Sequence, residues 1–141
     1  RGGAGAPNAI TGSALSYAGG GGGGVGYNNP GPGGSSKCHT AGAASPCGTG
    51  GRGGKSGCAP SHPPNVPQVQ EAGTTNRGGG GGGGGVSCTP GAAGGSGVVV
   101  VRAPSVIAFT VSPGTNSTST HPGGDKIATF TVSGTLTIGE A

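Results

Sequence analysis

The apolar residues of this chain are concentrated in its C-terminal third, where they follow the pattern of β-strands. Residues 98–101 form an uninterrupted run of valines, typical of a buried strand, and residues 106–111 form a second strand candidate. Residues 126–132 and 135–138 alternate between apolar and polar with a period of two, separated by a short turn. The pattern predicts a small all-β region over residues 98–141.

The rest of the chain has little apolar patterning. Leu15, Ser16 and Tyr17 alternate as on a short strand, and no segment has apolar residues at helical spacing, so no helices are expected. Residues 113–124 are predicted to form a polar loop. We therefore expect a mainly irregular, glycine-rich region over residues 1–97, with a Pro- and Cys-rich insertion at 28–72, followed by the β-region.

The high glycine content of the chain limits the size of any hydrophobic core. The 141 residues include 39 Gly and 12 Pro but no Trp or Met, and aromatic residues make up 3%. Burying a core at roughly 25 cal/mol per Å² requires large side chains, and this chain has few. Either most of the chain is disordered, or the backbone itself is the packing material.

Two uninterrupted glycine runs, residues 19–24 and 78–85, favour the second alternative. Such runs serve as flexible linkers in other proteins, but these lack the serine that keeps a linker solvated. Polyglycine can instead form the left-handed polyproline II helix, which has about three residues per turn and no internal hydrogen bonds. Its N–H and C=O groups must then pair with neighbouring backbones. The candidate packing glycines are Gly19, Gly24, Gly78, Gly81 and Gly85.

Charge is sparse and gives no binding patch. Seven basic and three acidic residues give a net charge of +4 without a lysine-rich block, and no apolar stretch is long enough to span a membrane. We expect neither nucleic-acid binding nor membrane insertion. Arg-Gly-Gly triplets at Arg1, Arg52 and Arg77 leave open a disordered RNA-binding segment of the RGG type.

The four cysteines, Cys38, Cys47, Cys58 and Cys88, are candidates for disulfide bonds in an oxidising compartment. Three pairings can be drawn, and the sequence does not choose between them. Free thiols are an alternative. A zinc site with His39 and His62 is another, but the spacings lack the C-x2-C pattern. No metal and no other cofactor is predicted.

Residues suited to catalysis are scarce. The only carboxylate side chains, Glu71, Asp125 and Glu140, are far apart in sequence. Residues 48–53 match G-x-G-x-x-G and residues 53–56 resemble the end of a P-loop, but neither lies between a predicted strand and a helix. The chain is not expected to be an enzyme.

Several phrases resemble a known type of domain. Three segments resemble the glycine-rich domain of phage tail-fibre and adhesin proteins: residues 9–18 before the first glycine run, residues 73–77 before the second, and residues 94–104. Residues 123–138 resemble a short β-module found beside such domains. The resemblance covers residues 9–27 and 73–138. It implies a bundle of polyglycine II helices capped by loops that face the host.

The resemblance implies a structural and adhesive component of a virion surface, outside the cell, as part of a phage tail fibre or receptor-binding tip. Its expected partners are a host cell-surface receptor, other virion proteins and further copies of the chain, three by family analogy. Tyr27, His39 and His62 are the candidate host-contact residues. Because the sequence opens within a glycine-rich phrase at Arg1, we expect it to be a fragment or a processed form. The alternatives are a glycine-rich protein of an extracellular matrix or cell wall, and the RNA-binding segment.

Overall fold

The computed structural model describes residues 1–26, 40–55, 67–85 and 89–141. Within these ranges the chain forms strands but no helix, so none of the described residues belongs to a helix that could cross a membrane. The chain divides into two compact units. Unit 1 comprises Arg1–Ala6 and Ser16–Ser96, and unit 2 comprises Pro7–Leu15 and Gly97–Ala141.

The strands are short and form three small sheets. In chain order they are β1 Ala6–Asn8, β2 Leu15–Tyr17, β3 Val99–Ala103, β4 Ile107–Ser112, β5 Ser117–Thr120, β6 Lys126–Phe130 and β7 Thr135–Glu140. The sheet orders are β1-β2, β3-β6-β5 and β4-β7. The absence of helices and the all-β C-terminal region agree with the sequence pattern for the residues described.

Unit 2 has a conventional, if small, apolar core centred on β6. Ile127 and Ala128 are 2% and 0% exposed, and β4 packs against β6. In the antiparallel β4-β7 sheet, Phe109 is paired with Ile138 and Val111 with Leu136. These pairs place the apolar residues of both strands on one face, as the period-two alternation requires.

The prediction of a polar loop over residues 113–124 was wrong for β5, which pairs antiparallel with β6 inside that range. All four residues of β5 are exposed Ser or Thr. The strand therefore has no apolar alternation for sequence reasoning to detect. Just before it, Asn116 is 4% exposed, and its Oδ1 accepts hydrogen bonds from the backbone N–H groups of Thr131 and Val132.

In unit 1, backbone hydrogen bonds connect segments that lie mostly outside the β-strands. Three glycine segments (residues 19–26, 49–55 and 78–85) donate to one another in a closed cycle. The N–H of Gly22 donates to the carbonyl of Gly51 at 2.9 Å, Gly51 donates to Gly80 at 2.9 Å, and Gly80 donates to Gly19 at 2.8 Å. Each glycine segment is therefore bonded to both of the others.

The cycle repeats three residues further along every segment. Val25 donates to Gly54 at 3.0 Å, Gly54 to Gly83 at 2.8 Å, and Gly83 to Gly22 at 2.8 Å. Because the residue numbers increase together, the three glycine segments are parallel. In a β-ladder, neighbouring residues of a strand point alternately to opposite sides, which gives a period of two. The period in unit 1 is three.

Side chains are absent from residues 79–85 of the third glycine segment because other backbones occupy all three of its faces there. A Cβ atom built on Gly79, Gly82 or Gly85 would meet backbone atoms of Thr49, Arg52 or Lys55, respectively. One built on Gly80 or Gly83 would lie 2.8 or 2.7 Å from a backbone nitrogen of the first glycine segment. At Gly81 and Gly84 it would meet carbonyl oxygens of residues 89–93. Real Cβ atoms essentially never approach a neighbour within 3.0 Å.

Flanking segments cover the glycine segments on their outer sides. Residues 67–74 run antiparallel to the second glycine segment: Gln68 exchanges hydrogen bonds with Lys55, and Glu71 and Thr74 donate to Arg52 and Thr49. Arg52 and Glu71 also form an ion pair of 3.0 Å. That pair is half-exposed and contributes little to stability. Residues 92–96 pair in the same antiparallel way with the third glycine segment.

Adjacent positions in the first glycine segment provide a matched test of backbone packing. A Cβ at Gly24 would meet the carbonyl of Gly84, whereas no described atom lies within 4 Å of a Cβ at Gly23, which is exposed. We expect Gly24→Ala to lower the free energy of unfolding by about 1–3 kcal/mol, because the added Cβ overpacks the contact with Gly84. Gly23→Ala should be neutral or stabilising by up to about 1 kcal/mol. Chemical denaturation of both variants measures the difference, and equal effects would contradict the packing.

Candidate functional site

The structure gives positions for some of the residues singled out from the sequence. Cβ positions at Gly19, Gly24, Gly81 and Gly85 are all occupied by atoms of neighbouring segments. Gly78 differs: its φ is +63°, it is exposed, and no described atom lies within 4 Å of its Cβ position. Tyr27, His39 and His62, and the cysteines Cys38, Cys58 and Cys88, lie outside the described residues.

The remaining cysteine, Cys47, lies in a tight turn between Ser45 and Gly50. The hydroxyl oxygen of Ser45, which is 4% exposed, accepts hydrogen bonds from the backbone N–H groups of Thr49 at 3.1 Å and Gly50 at 3.0 Å. The hydroxyl oxygen of Thr49, also 4% exposed, accepts the N–H of Gly19 at 2.9 Å. Both hydroxyls thus use their oxygen to hold backbone donors.

The hydroxyls of Ser45 and Thr49 also lie within hydrogen-bond distance of the sulfur of Cys47. The Sγ atom lies 3.3 Å from the Ser45 oxygen and 3.1 Å from the Thr49 oxygen, and it accepts the N–H of Gly5 at 3.1 Å. Hydrogen bonds to an ionised form favour that form. The hydroxyls of Ser45 and Thr49, with the N–H groups of Thr49 and Gly5, lower the pKa of the Cys47 thiol to about 6.

This thiol–hydroxyl cluster (Ser45, Cys47 and Thr49) joins three parts of unit 1. It receives N–H groups from Gly5 at the start of the chain and from Gly19 at the start of the first glycine segment. Among the residues that the structure describes, Cys47 has no disulfide partner. The cluster therefore connects the start of the chain and the first glycine segment to the turn that contains Cys47.

A second polar cluster lies at the edge of unit 2. Arg102 on β3 donates to the carboxylate of Asp125 at 2.7 Å, and its Nη1 lies 3.0 Å from Nε2 of His121. The Nδ1 atom of His121 accepts the backbone N–H of Gly123, and the backbone N–H of His121 donates to the carbonyl of Asp125. These contacts fasten the β5–β6 connection to the outer strand. They leave the guanidinium and the carboxylate paired with each other.

Neither cluster has the composition of a metal centre. Among the residues that the structure describes, no three His, Cys, Asp or Glu side chains are close enough together to hold a metal ion. Residues Asn116-Ser117-Thr118 match the N-glycosylation sequon, but the Asn116 side chain, whose nitrogen would carry the glycan, is buried in the folded unit.

Comparison with known proteins yields no relative. No protein-family model, curated protein or solved structure is significantly similar to this chain. The functional interpretation therefore rests on the geometry of the two units and on the resemblance of the sequence phrases.

Two features of unit 1 were not predicted from the sequence. The first has a recognisable sequence pattern, and the second has none. Residues 49–55 have the pattern X-G-G-X-G-G-X, in which the side chains of Thr49, Arg52 and Lys55 recur every third residue. This period of three identifies the second glycine segment, in which side chains lie on one of the three faces and glycines on the other two. The thiol–hydroxyl cluster, in contrast, depends on contacts with Gly5 and Gly19 that are distant in sequence.

The lowered pKa of Cys47 gives unit 1 a specific dependence on pH. In the unfolded chain the thiol has its ordinary pKa of 9.0, compared with about 6 when folded. Folding therefore favours the thiolate, so its stabilising contribution should be absent below pH 6 and grow as the pH rises from about 6 to 9. Chemical denaturation of the reduced wild type and Cys47→Ser across this range measures the contribution. A stability difference that does not change with pH would contradict the assigned hydrogen bonds.

Proposed function

We propose that unit 1 is a bundle of polyglycine II helices. We further propose that the chain is a structural and adhesive component of a virion surface, part of a phage tail fibre or receptor-binding tip. The observation that carries the first proposal is the hydrogen-bond cycle of the three glycine segments, which repeats every third residue. The second adds the resemblance of the phrases around the glycine runs to phage tail-fibre and adhesin proteins.

The three-residue period supports polyglycine II helices in particular. A helix with about three residues per turn presents every third backbone group to the same neighbour. The third glycine segment follows this rule: positions 79, 82 and 85 face one neighbour, 80 and 83 another, and 81 and 84 a third. A helix without internal hydrogen bonds must also find its partners in neighbouring segments, and the cycle supplies such partners.

The direction of the glycine segments supports an adhesive role. Because they are parallel, and because Val25, Gly54 and Gly83 are bonded at one level, the chain leaves all three segments at the same end. The segments that follow in the sequence contain the candidate host-contact residues Tyr27, His39 and His62. Binding residues are commonly carried on connections that a rigid scaffold positions.

Two arginines of the Arg-Gly-Gly triplets favour a scaffold over an RNA-binding segment. Arg52 is paired with Glu71, and the guanidinium of Arg77 lies 5.2 Å from the centre of the Tyr17 ring. In an RGG-type segment these groups would be available to phosphates and bases. The proposal therefore includes no nucleic acid. It keeps the sequence-based expectation of no membrane insertion, no cofactor and no enzymatic activity. Its partners are further copies of the chain, three by family analogy, other virion proteins and a host receptor.

Antibodies raised against the full chain test the proposed location. We expect immunogold label on the fibres or tips of phage particles released from the source culture, and the chain among the proteins of purified particles. Pre-adsorbing the antibody with the purified chain is the control and should abolish the label. Label confined to cell-wall or matrix fractions would contradict the virion role and favour the glycine-rich wall protein. Neither result depends on whether unit 1 has polyglycine II geometry.

A further inference from the structure

Unit 2 contains a solvent-open cavity of about 340 Å³. The cavity lies between β4 and the β5-β6 pair, and its lining includes Phe109, Thr118, Ser119, Thr120 and Lys126. Its volume lies at the lower end of the range of about 300–1,000 Å³ that is usual for small-molecule sites. A ligand here would be small.

Strand β5 lines this cavity and contributes no apolar side chain to the core. Thr118 and Thr120 lie on the same face of the strand as Lys126 on β6, and Ser119 lies on the opposite face. All four of its residues are exposed. Among the described residues, no side chain or backbone group is hydrogen-bonded to the hydroxyls of Thr118, Ser119 or Thr120. A hydroxyl offers one donor and two acceptor positions, which matches the hydroxyls of a polyol.

Lys126 adds a positive charge beside these hydroxyls. The antiparallel register places it directly opposite Thr120, so their side chains lie on the same face about 4.5–5.5 Å apart at Cβ. The other cation of unit 2, Arg102, is paired with Asp125, whereas Lys126 has no acidic partner among the described residues. Lys126 therefore lines the cavity without an acidic side chain paired to it among the described residues.

Phe109 completes the lining from β4, on the other sheet. Phe109 is half-buried and lines the cavity. Aromatic rings pack against the C–H faces of sugar rings, which are apolar, while the sugar hydroxyls bind polar groups at the edge. An aromatic residue, the two hydroxyls of Thr118 and Thr120 and one lysine together match a sugar that carries a carboxylate.

We propose that this cavity binds an acidic saccharide, with Phe109 against the sugar ring, β5 on its hydroxyls and Lys126 on its carboxylate. The site belongs to unit 2 alone and does not depend on the proposed virion role of the chain.

Titration of the ¹⁵N-labelled full chain with a tetrasaccharide of alternating glucuronic acid and N-acetylglucosamine tests the proposal by NMR. We expect saturable shifts of the amides of Phe109, Ser119 and Lys126. The neutral tetrasaccharide of N-acetylglucosamine should bind more weakly, and inorganic phosphate should give no saturable shifts at these residues. Absence of saturable shifts, shifts confined to other residues, equal affinity for the neutral sugar, or equal shifts with phosphate would overturn the proposal.

Variants at exposed or half-exposed positions separate binding from folding. Lys126→Gln should weaken binding of the acidic tetrasaccharide about tenfold, since it removes a charge-assisted hydrogen bond. Binding of the neutral sugar should change by less than about twofold. Thr118→Val removes one hydroxyl at constant shape and should weaken both sugars. Thr137→Val on β7, which does not line the cavity, is the matched control and should leave affinity unchanged. Unchanged binding in Lys126→Gln would overturn the role of the ammonium group.

Discussion

Unit 1 depends on contact between backbones that have no side chains to separate them. The glycine segments pair their N–H and C=O groups with neighbouring segments, and a buried backbone group without such a partner would destabilise the unit. Such pairing requires the segments to approach within hydrogen-bond distance, and a single Cβ on an inner face would prevent it. Glycine loses more backbone freedom on folding than any other residue. Hydrogen bonds between segments must offset that cost, since among the described residues of the unit only Ala41 is a buried apolar residue.

The positions of side chains in the second and third glycine segments follow from the neighbours around them. Residues 79–85 are in contact with backbones on three faces and are all glycine. The second segment carries the side chains of Thr49, Arg52 and Lys55 on one face and glycine on the others. In the thiol–hydroxyl cluster, side-chain atoms of Cys47 and Thr49 accept the N–H groups of Gly5 and Gly19.

The sequence predicted the parts of the fold that side chains specify. Period-two alternation located β6 and β7 to within a few residues, and the apolar residues of 106–111 located β4. Strand β5 was missed, since an exposed strand of Ser and Thr has no alternation. The neighbours and register of the glycine segments could not be predicted, because glycine carries no side chain to identify a partner. The cavity of unit 2 could not be predicted either, since it depends on the pairing of Thr120 with Lys126 and on the approach of β4.

The hydrogen-bond cycle itself can be observed by NMR, through scalar couplings transmitted across N–H···O=C bonds between a donor nitrogen and an acceptor carbonyl carbon. We expect correlations from Gly22 to Gly51, Gly51 to Gly80 and Gly80 to Gly19, and a second set three residues further along. Together they would establish three parallel segments bonded with a period of three. Correlations repeating every second residue, or none in a chain whose glycine amides exchange freely with solvent, would contradict the packing of unit 1 through its backbone.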